Sequence, residues 1–291
     1  MGYLYKALRQ AESEHEHQSL VHEDGASTAV SEAVPTDRSW LESASLRKPR
    51  VRPENRLVTI SDQGSLGAEK FRVLRMRLQH MQRKSGVKKL LITSGTPGEG
   101  KTMVASNLAV SLARNTTQKV LLVEGDLRHP LLASQFGLEE VEGVAEWFQT
   151  HGSLGGFVSR IDGLQLWFLP AGRLLEDPLK ILHSSRFTDA FNELTPSFDW
   201  VVIDAPPLLP MADVHVLATL ADGIILVIRQ GKTPKKTLLK GLKELDGAKI
   251  LGTAFNDVEI PERGYYTYYE HYYGQHAGSG NGKAPAGRKA S

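Results

Sequence analysis

The eight residues Gly95-Thr96-Pro97-Gly98-Glu99-Gly100-Lys101-Thr102 constrain what this chain can fold into more than any other stretch. They match G-x-x-x-x-G-K-[ST] in full. The apolar run KLLITS precedes them directly, and TMVASNLAVSLA, whose Ala105, Leu108, Ala109 and Leu112 recur at helical spacing, follows directly. A strand that ends in a glycine-rich turn and restarts as a helix aims backbone N–H groups and the positive end of a helix dipole at one point. That point suits phosphate. Lys101 adds a cation for the outer phosphates, and the Thr102 hydroxyl can ligate Mg²⁺. Gly95, Thr96, Pro97, Gly98, Glu99, Gly100, Lys101, Thr102 and Met103 are therefore the candidate nucleotide-binding segment. A chance glycine-rich turn is the competing reading, and the agreement of strand, loop and helix speaks against it.

The surrounding sequence has the rhythm of parallel βαβ units. Strands are expected at Lys89–Thr93, Val120–Glu124, Leu164–Leu169, Trp200–Asp204, Gly223–Ile228 and Ile250–Phe255, several of them apolar nearly throughout. Helical patterns fill the intervals, including 102–114 and 235–245. A three-layer α/β domain over residues 57–260 follows, its mostly parallel sheet covered by helices on both faces. Two of the strands end in acids. VVID closes at Asp204 before Ala205-Pro206-Pro207, which leaves the carboxylate at the strand's carboxyl edge, where ligands of open α/β sheets bind. VLLVE runs into Glu124-Gly125-Asp126, with Arg128 two residues on. Carboxylates there suit a magnesium nucleotide, because Mg²⁺ takes oxygen ligands; a solvated acidic turn is the plain alternative.

Composition narrows the function. Thirty-five Lys and Arg against 33 Asp and Glu leave a net charge of +2, too little for a protein that wraps nucleic acid. The absence of cysteine excludes disulfides, thiol nucleophiles and cysteine-bound metal, and fits the cytoplasm. No apolar run reaches the roughly 18 residues of a membrane span, and the start carries no secretory signal. Lys6 breaks the myristoylation pattern that Gly2 suggests.

Residues 1–56 read as a disordered arm, with a possible short helix at 3–11, an acidic first half and a basic close at Arg47, Lys48, Arg50, Arg52 and Arg56. That close is either a solvated linker or a contact for an anionic membrane or partner. Residues 67–84 form a helix with Phe71, Leu74, Leu78 and Met81 as its apolar stripe. Glu69, Arg72 and Arg75 fall on the other side, as a solvated face or an intersubunit contact. After Pro261 the composition changes again. Six of the eight tyrosines, Tyr265, Tyr266, Tyr268, Tyr269, Tyr272 and Tyr273, lie within nine residues, where even scatter would place fewer than one. Five of them fit helical spacing and could dock as an apolar face. The surrounding glycines and the lack of Leu, Ile or Val favour a flexible 261–291 tail that presents hydroxyls to phosphoryl transfer.

These features together resemble the bacterial tyrosine kinases, cytoplasmic autokinases of capsular and exopolysaccharide biosynthesis with a P-loop NTPase fold. The resemblance spans roughly residues 66–273 and rests on five motifs. They are GTPGEGKT, the acidic LLVEGDLR, VVIDAPP, the E-x-x-R-x-x-R helix of Glu69, Arg72 and Arg75, and the tyrosine cluster. It implies ATP and Mg²⁺ as cofactors. Lys101 and Thr102 would bind the phosphates and metal, Asp126 and Asp204 would assist the metal, and the acid at 124 would activate the incoming tyrosine hydroxyl. The helix trio would close a ring of subunits in which one tail enters a neighbour's site. The implied partners are a membrane polysaccharide co-polymerase that activates the kinase and recruits it to the inner face of the plasma membrane, and a tyrosine phosphatase. One departure stands out: the family's first acid is Asp, and this chain has Glu124. The added methylene moves the carboxylate by roughly 1 Å, enough to matter for chemistry. Either the site is built around Glu or activity gives way to a nucleotide switch. The related partitioning and cell-division ATPases are the second reading. Their loop carries an early lysine that Gly95-Thr96-Pro97 lacks, and they leave the tyrosines unexplained.

Overall fold

A computed structural model describes residues 40–258, apart from 115, 140, 174–176, 210–211 and 246–249. The expected N-terminal helix at 3–11, the acidic part of the arm and all six clustered tyrosines lie outside the described residues.

Eight strands among the described residues form one sheet: β1 (Ser45–Arg47), β2 (Lys89–Ser94), β3 (Val120–Glu124), β4 (Ser159–Ile161), β5 (Leu166–Leu169), β6 (Trp200–Asp204), β7 (Gly223–Arg229) and β8 (Ile250–Asn256). Their order is β1-β4-β5-β3-β6-β2-β7-β8. Every pair is parallel except β4 with β5. The helices are α1 (Trp40–Ser43), α2 (Val58–Ser61), α3 (Leu66–Ser85), α4 (Lys101–Ala113), α5 (Leu132–Gln135), α6 (Val144–Gln149), α7 (Pro178–Leu182), α8 (Ser185–Leu194), α9 (Asp213–Leu220) and α10 (Lys235–Glu244).

The strands are apolar throughout because both faces are covered. Alternate residues feed two separate cores: Leu91, Leu121, Val123, Val201 and Ile203 on one side, and Leu90, Ile92, Leu122, Val202 and Val227 on the other. Helix α4 is buried almost end to end, since α3 lies over it. Ser65 caps α3 by accepting from the Ala68 N–H, and Gly86, left-handed at φ 69°, closes it.

Residues 40–56, expected to belong to a disordered arm, are instead built into the domain. Trp40 packs against Phe198, Leu41 is buried, and β1 pairs with β4. The basic segment that follows is tied down too: the Arg50 N–H donates to the Phe136 carbonyl at 2.9 Å, and Asn55 Nδ2 to the Ser134 carbonyl at 3.0 Å. Neither β1 nor β4 has a local sequence signal. Each is three residues long, so its place comes from the partner strand. The domain therefore begins by Trp40, and its compact unit ends at Asn256.

Candidate active site

Because β2, β3, β6 and β7 run parallel and adjacent, their carboxyl ends meet at one edge. Ile92 and Glu124 both stand in register with Asp204, and Ser94 with Val227. The phosphate loop leaves β2 at that edge and enters α4. Its turn needs glycine at two points. Gly98 has φ 75° and Gly100 φ 93°, and a Cβ at either would strike a side chain, Lys232 Nζ at 2.5 Å in the first case and Asn256 Nδ2 in the second. Asn256 Nδ2 also donates to the Glu99 carbonyl at 2.8 Å, pinning the loop to the end of β8. Glu99 turns inward, fully buried, and one of its oxygens accepts from the Thr96 N–H at 3.2 Å.

Lys101 is 8% exposed, and its Nζ donates to Asp126 Oδ2 at 2.9 Å. Burial lowers its pKa, but the charges of Asp204, Asp126 and Glu124 outweigh that and raise it, so the ammonium stays charged. Asp126 Oδ1 accepts from the His129 N–H at 3.1 Å. Arg128 grips Asp213 at the start of α9 with two bonds, 2.8 and 3.3 Å.

Asp204 is 1% exposed, and its Oδ1 is buried without a hydrogen-bond partner among the described residues. Burial pushes its carboxyl up to about 6, while Lys101 and the Thr102 hydroxyl pull it back down. A buried orphan oxygen is costly unless a ligand completes it. Here it faces the same edge as the Thr102 hydroxyl and Asp126, an oxygen set of the kind a hard divalent cation takes. These residues fit a magnesium nucleotide.

Glu124 behaves differently. Its Oε1 accepts from the Leu131 and Leu132 N–H groups at 2.5 and 2.6 Å, and its Oε2 from the Ala171 N–H at 3.3 Å. Burial pushes it up to about 7, and the three N–H bonds oppose the shift. At 1% exposure the carboxylate accepts from backbone after β3 and after β5, an anchoring arrangement that differs from the free base the resemblance implies. The methylene that Asp would lack supplies the reach.

The helix trio also sits differently from its expected place. Glu69, Arg72 and Arg75 are half-buried. Arg72 pairs with Glu69 and the Gln63 carbonyl, and Arg75 Nη1 donates to the Ser111 carbonyl of α4 at 2.9 Å. At about 100° per residue Arg75 lies only about 40° around α3 from Phe71, so it flanks the stripe instead of opposing it. The outward face carries Val73 and Met76, the latter 64% exposed.

Three residues beside the phosphate loop escaped the sequence reading, Asn256 at the end of β8 and two that follow β7. Lys232 and Thr233 follow β7, and Thr233 Oγ1 lies 3.2 Å from Thr96 Oγ1. The available signal was their place just past a parallel strand that neighbours β2.

The AAA domain family matches across residues 87–248, more than half the chain. "Tyrosine-protein kinase YwqD" of Bacillus subtilis (strain 168) is 33% identical over 227 residues, which cover 77% of this chain and 95% of that protein. The chain belongs to the bacterial tyrosine kinases. "Putative tyrosine-protein kinase CapB" of Staphylococcus aureus is 32% identical and covers 69% of this kinase and 89% of its own length. The chimerical protein CapA2B2 superposes with a TM-score of 0.66 at 26% identity, over 74% of this kinase and 95% of that chain. The kinase thus has a P-loop nucleotide-binding fold. Among its described residues no helix is long and apolar enough to cross a membrane.

Proposed function

We propose that this kinase transfers the terminal phosphoryl group of ATP, with Mg²⁺, to its own tyrosines at 265, 266, 268, 269, 272 and 273, one copy acting on the tail of another. The observation that carries the reading is the orphan oxygen of Asp204 beside the Thr102 hydroxyl and the phosphate loop. Thr102, Asp126 and Asp204 would hold the metal, which neutralises phosphate charge when bound. Gly95 to Met103 would cradle the phosphates. Lys101, now paired with Asp126, would also reach the phosphate oxygens, and Asp126 would then be free to help hold the metal. Phosphoryl transfer needs positioning and charge neutralisation more than it needs a strong base. Glu124 therefore serves here by holding the backbone at the end of β3.

Glu69, Arg72 and Arg75 would contribute to a ring of unphosphorylated subunits. The relatives are named tyrosine-protein kinases, and the family resemblance extends this to a cytoplasmic role in regulating capsule or exopolysaccharide polymerisation and export. There a separate membrane activator recruits the kinase and a tyrosine phosphatase resets it. Intact-mass spectrometry of phosphatase-treated protein with Mg²⁺ and ATP tests the core of the proposal. A ladder of added phosphates that maps to Tyr265–Tyr273 and vanishes in Lys101→Ala is expected. Equal incorporation in Lys101→Ala would overturn the site assignment.

A further inference from the structure

A second charged cavity lies away from the phosphate loop. It opens between α2, α3 and the far end of α4, about 18 Å along that helix from Lys101 at 1.5 Å per residue. Its volume is about 420 Å³, and Thr59, Arg72, Arg75, Gln79, Arg114 and Thr116 are among its walls. Three guanidinium groups thus border one space, and no carboxylate among the described residues lines it.

Arg114 carries the argument. Its Nε is buried and has no acceptor among the described residues. Burial lowers its pKa, and no carboxylate among the described residues offsets the loss of water. Arg75 is held toward the cavity by the Ser111 carbonyl, and Arg72 by Glu69 and the Gln63 carbonyl. The three cations and the one acid paired to them leave an excess of two positive charges. One carboxylate would neutralise half of that. A phosphate monoester, at about −1.5 to −2 near pH 7 and with three acceptor oxygens, matches it in charge and in hydrogen-bonding capacity.

We propose that this cavity binds a tyrosine phosphate presented by a second copy of the chain. The source of the ligand rests on the autokinase reading above. A bound tyrosine phosphate would occupy the arginines that the same reading gives to subunit assembly, so modification and assembly would compete for one surface.

The test uses phosphatase-treated full-length kinase and synthetic peptides of residues 264–274, one phosphorylated at Tyr269 and one not, with binding followed by fluorescence anisotropy. The phosphopeptide should bind at least roughly tenfold tighter than its unmodified twin, the scale of one added charge-assisted hydrogen bond. Arg114→Gln should lose most of that preference, and Arg114→Lys should keep part of it. Saturating Mg·ATP should leave the phosphopeptide bound, and inorganic phosphate should compete only weakly. Equal binding of the two peptides, or an unchanged preference in Arg114→Gln with a native thermal transition, overturns the proposal. Displacement by Mg·ATP would relocate the ligand to the nucleotide site, and inorganic phosphate as strong as the peptide would remove tyrosine from the ligand; either sinks it. Because the phosphate is supplied synthetically, a chain that failed to phosphorylate itself would still give a readable answer here.

Discussion

Glu124 and Asp204 end neighbouring parallel strands, stand in register and are each 1% exposed, yet their surroundings differ in one respect. Three backbone N–H groups give both oxygens of Glu124 a donor, whereas Asp204 keeps a buried oxygen with no partner among the described residues. Burial raises both carboxyls. At Glu124 the fold supplies the compensation itself, and the acid becomes an anchor for the segment around α5 and the turn after β5. At Asp204 the fold withholds it, and the acid stays poised for an external cation. Two strand-end acids that look equivalent as motif letters are separated by their hydrogen-bond satisfaction.

The strongest way to break this contrast is Asp204→Asn. It should reduce phosphate incorporation by at least roughly 10²-fold, the scale seen when one preorganised charge-stabilising group is removed, read by intact mass over time. The same change should stabilise the nucleotide-free protein. The Asp204 carboxyl is shifted up from 3.8 to about 6, so the folded state binds the extra proton between those values. Stability is therefore lost as pH rises through that window, and the full cost applies above it. At pH 8 Asn should recover on the order of 3 kcal/mol at 1.36 kcal/mol per pH unit, a gain that shrinks to nothing below about pH 4. Denaturant midpoints at the two pH values measure it. A lower midpoint at pH 8 would mean that Asp204 is satisfied in a way the geometry conceals.

Glu124→Ala is expected to act the other way. It leaves three N–H groups without their acceptor, and at roughly 1 to 3 kcal/mol for each group that stays dry the chain should lose about 3 kcal/mol or more. Glu124→Asp sharpens the point. The shorter arm cannot hold all three amides, so a loss on the order of 1 kcal/mol is expected, with nucleotide affinity nearly unchanged. If Glu124→Asp instead melts like the parent and runs faster while Glu124→Gln is folded and inactive, the acid is the base and the anchor reading fails. An effect of comparable size is expected at Arg128→Ala. It removes a partly exposed pair with Asp213 but strands a buried carboxylate, which should cost about 1 to 2 kcal/mol by thermal melting.

Much of the fold was legible. The six strand candidates fall on β2, β3, β5, β6, β7 and β8, because a strand buried on both faces must be apolar throughout. The two strands that escaped, β1 and β4, are three residues each, and Leu46 in β1 is 62% exposed, so no local pattern marks them. Arg75 was misplaced because a charged residue was assumed to face water, although its guanidinium answers a terminal carbonyl of α4. Lys232, just after β7, and Asn256, at the end of β8, reach the phosphate loop from segments remote in sequence, and only the strand order brings them there.

The residue order alone therefore determined the phosphate loop, the apolar strands and the acids at their ends, since each is local in sequence and depends on backbone geometry, periodicity or the position of a strand terminus. Which acid became an anchor and which stayed unsatisfied was decided by tertiary structure. Hydrogen-bond partners such as Leu131, Leu132 and Ala171 come from loops whose positions no local pattern encodes, and a buried carboxylate takes its character from the groups packed around it.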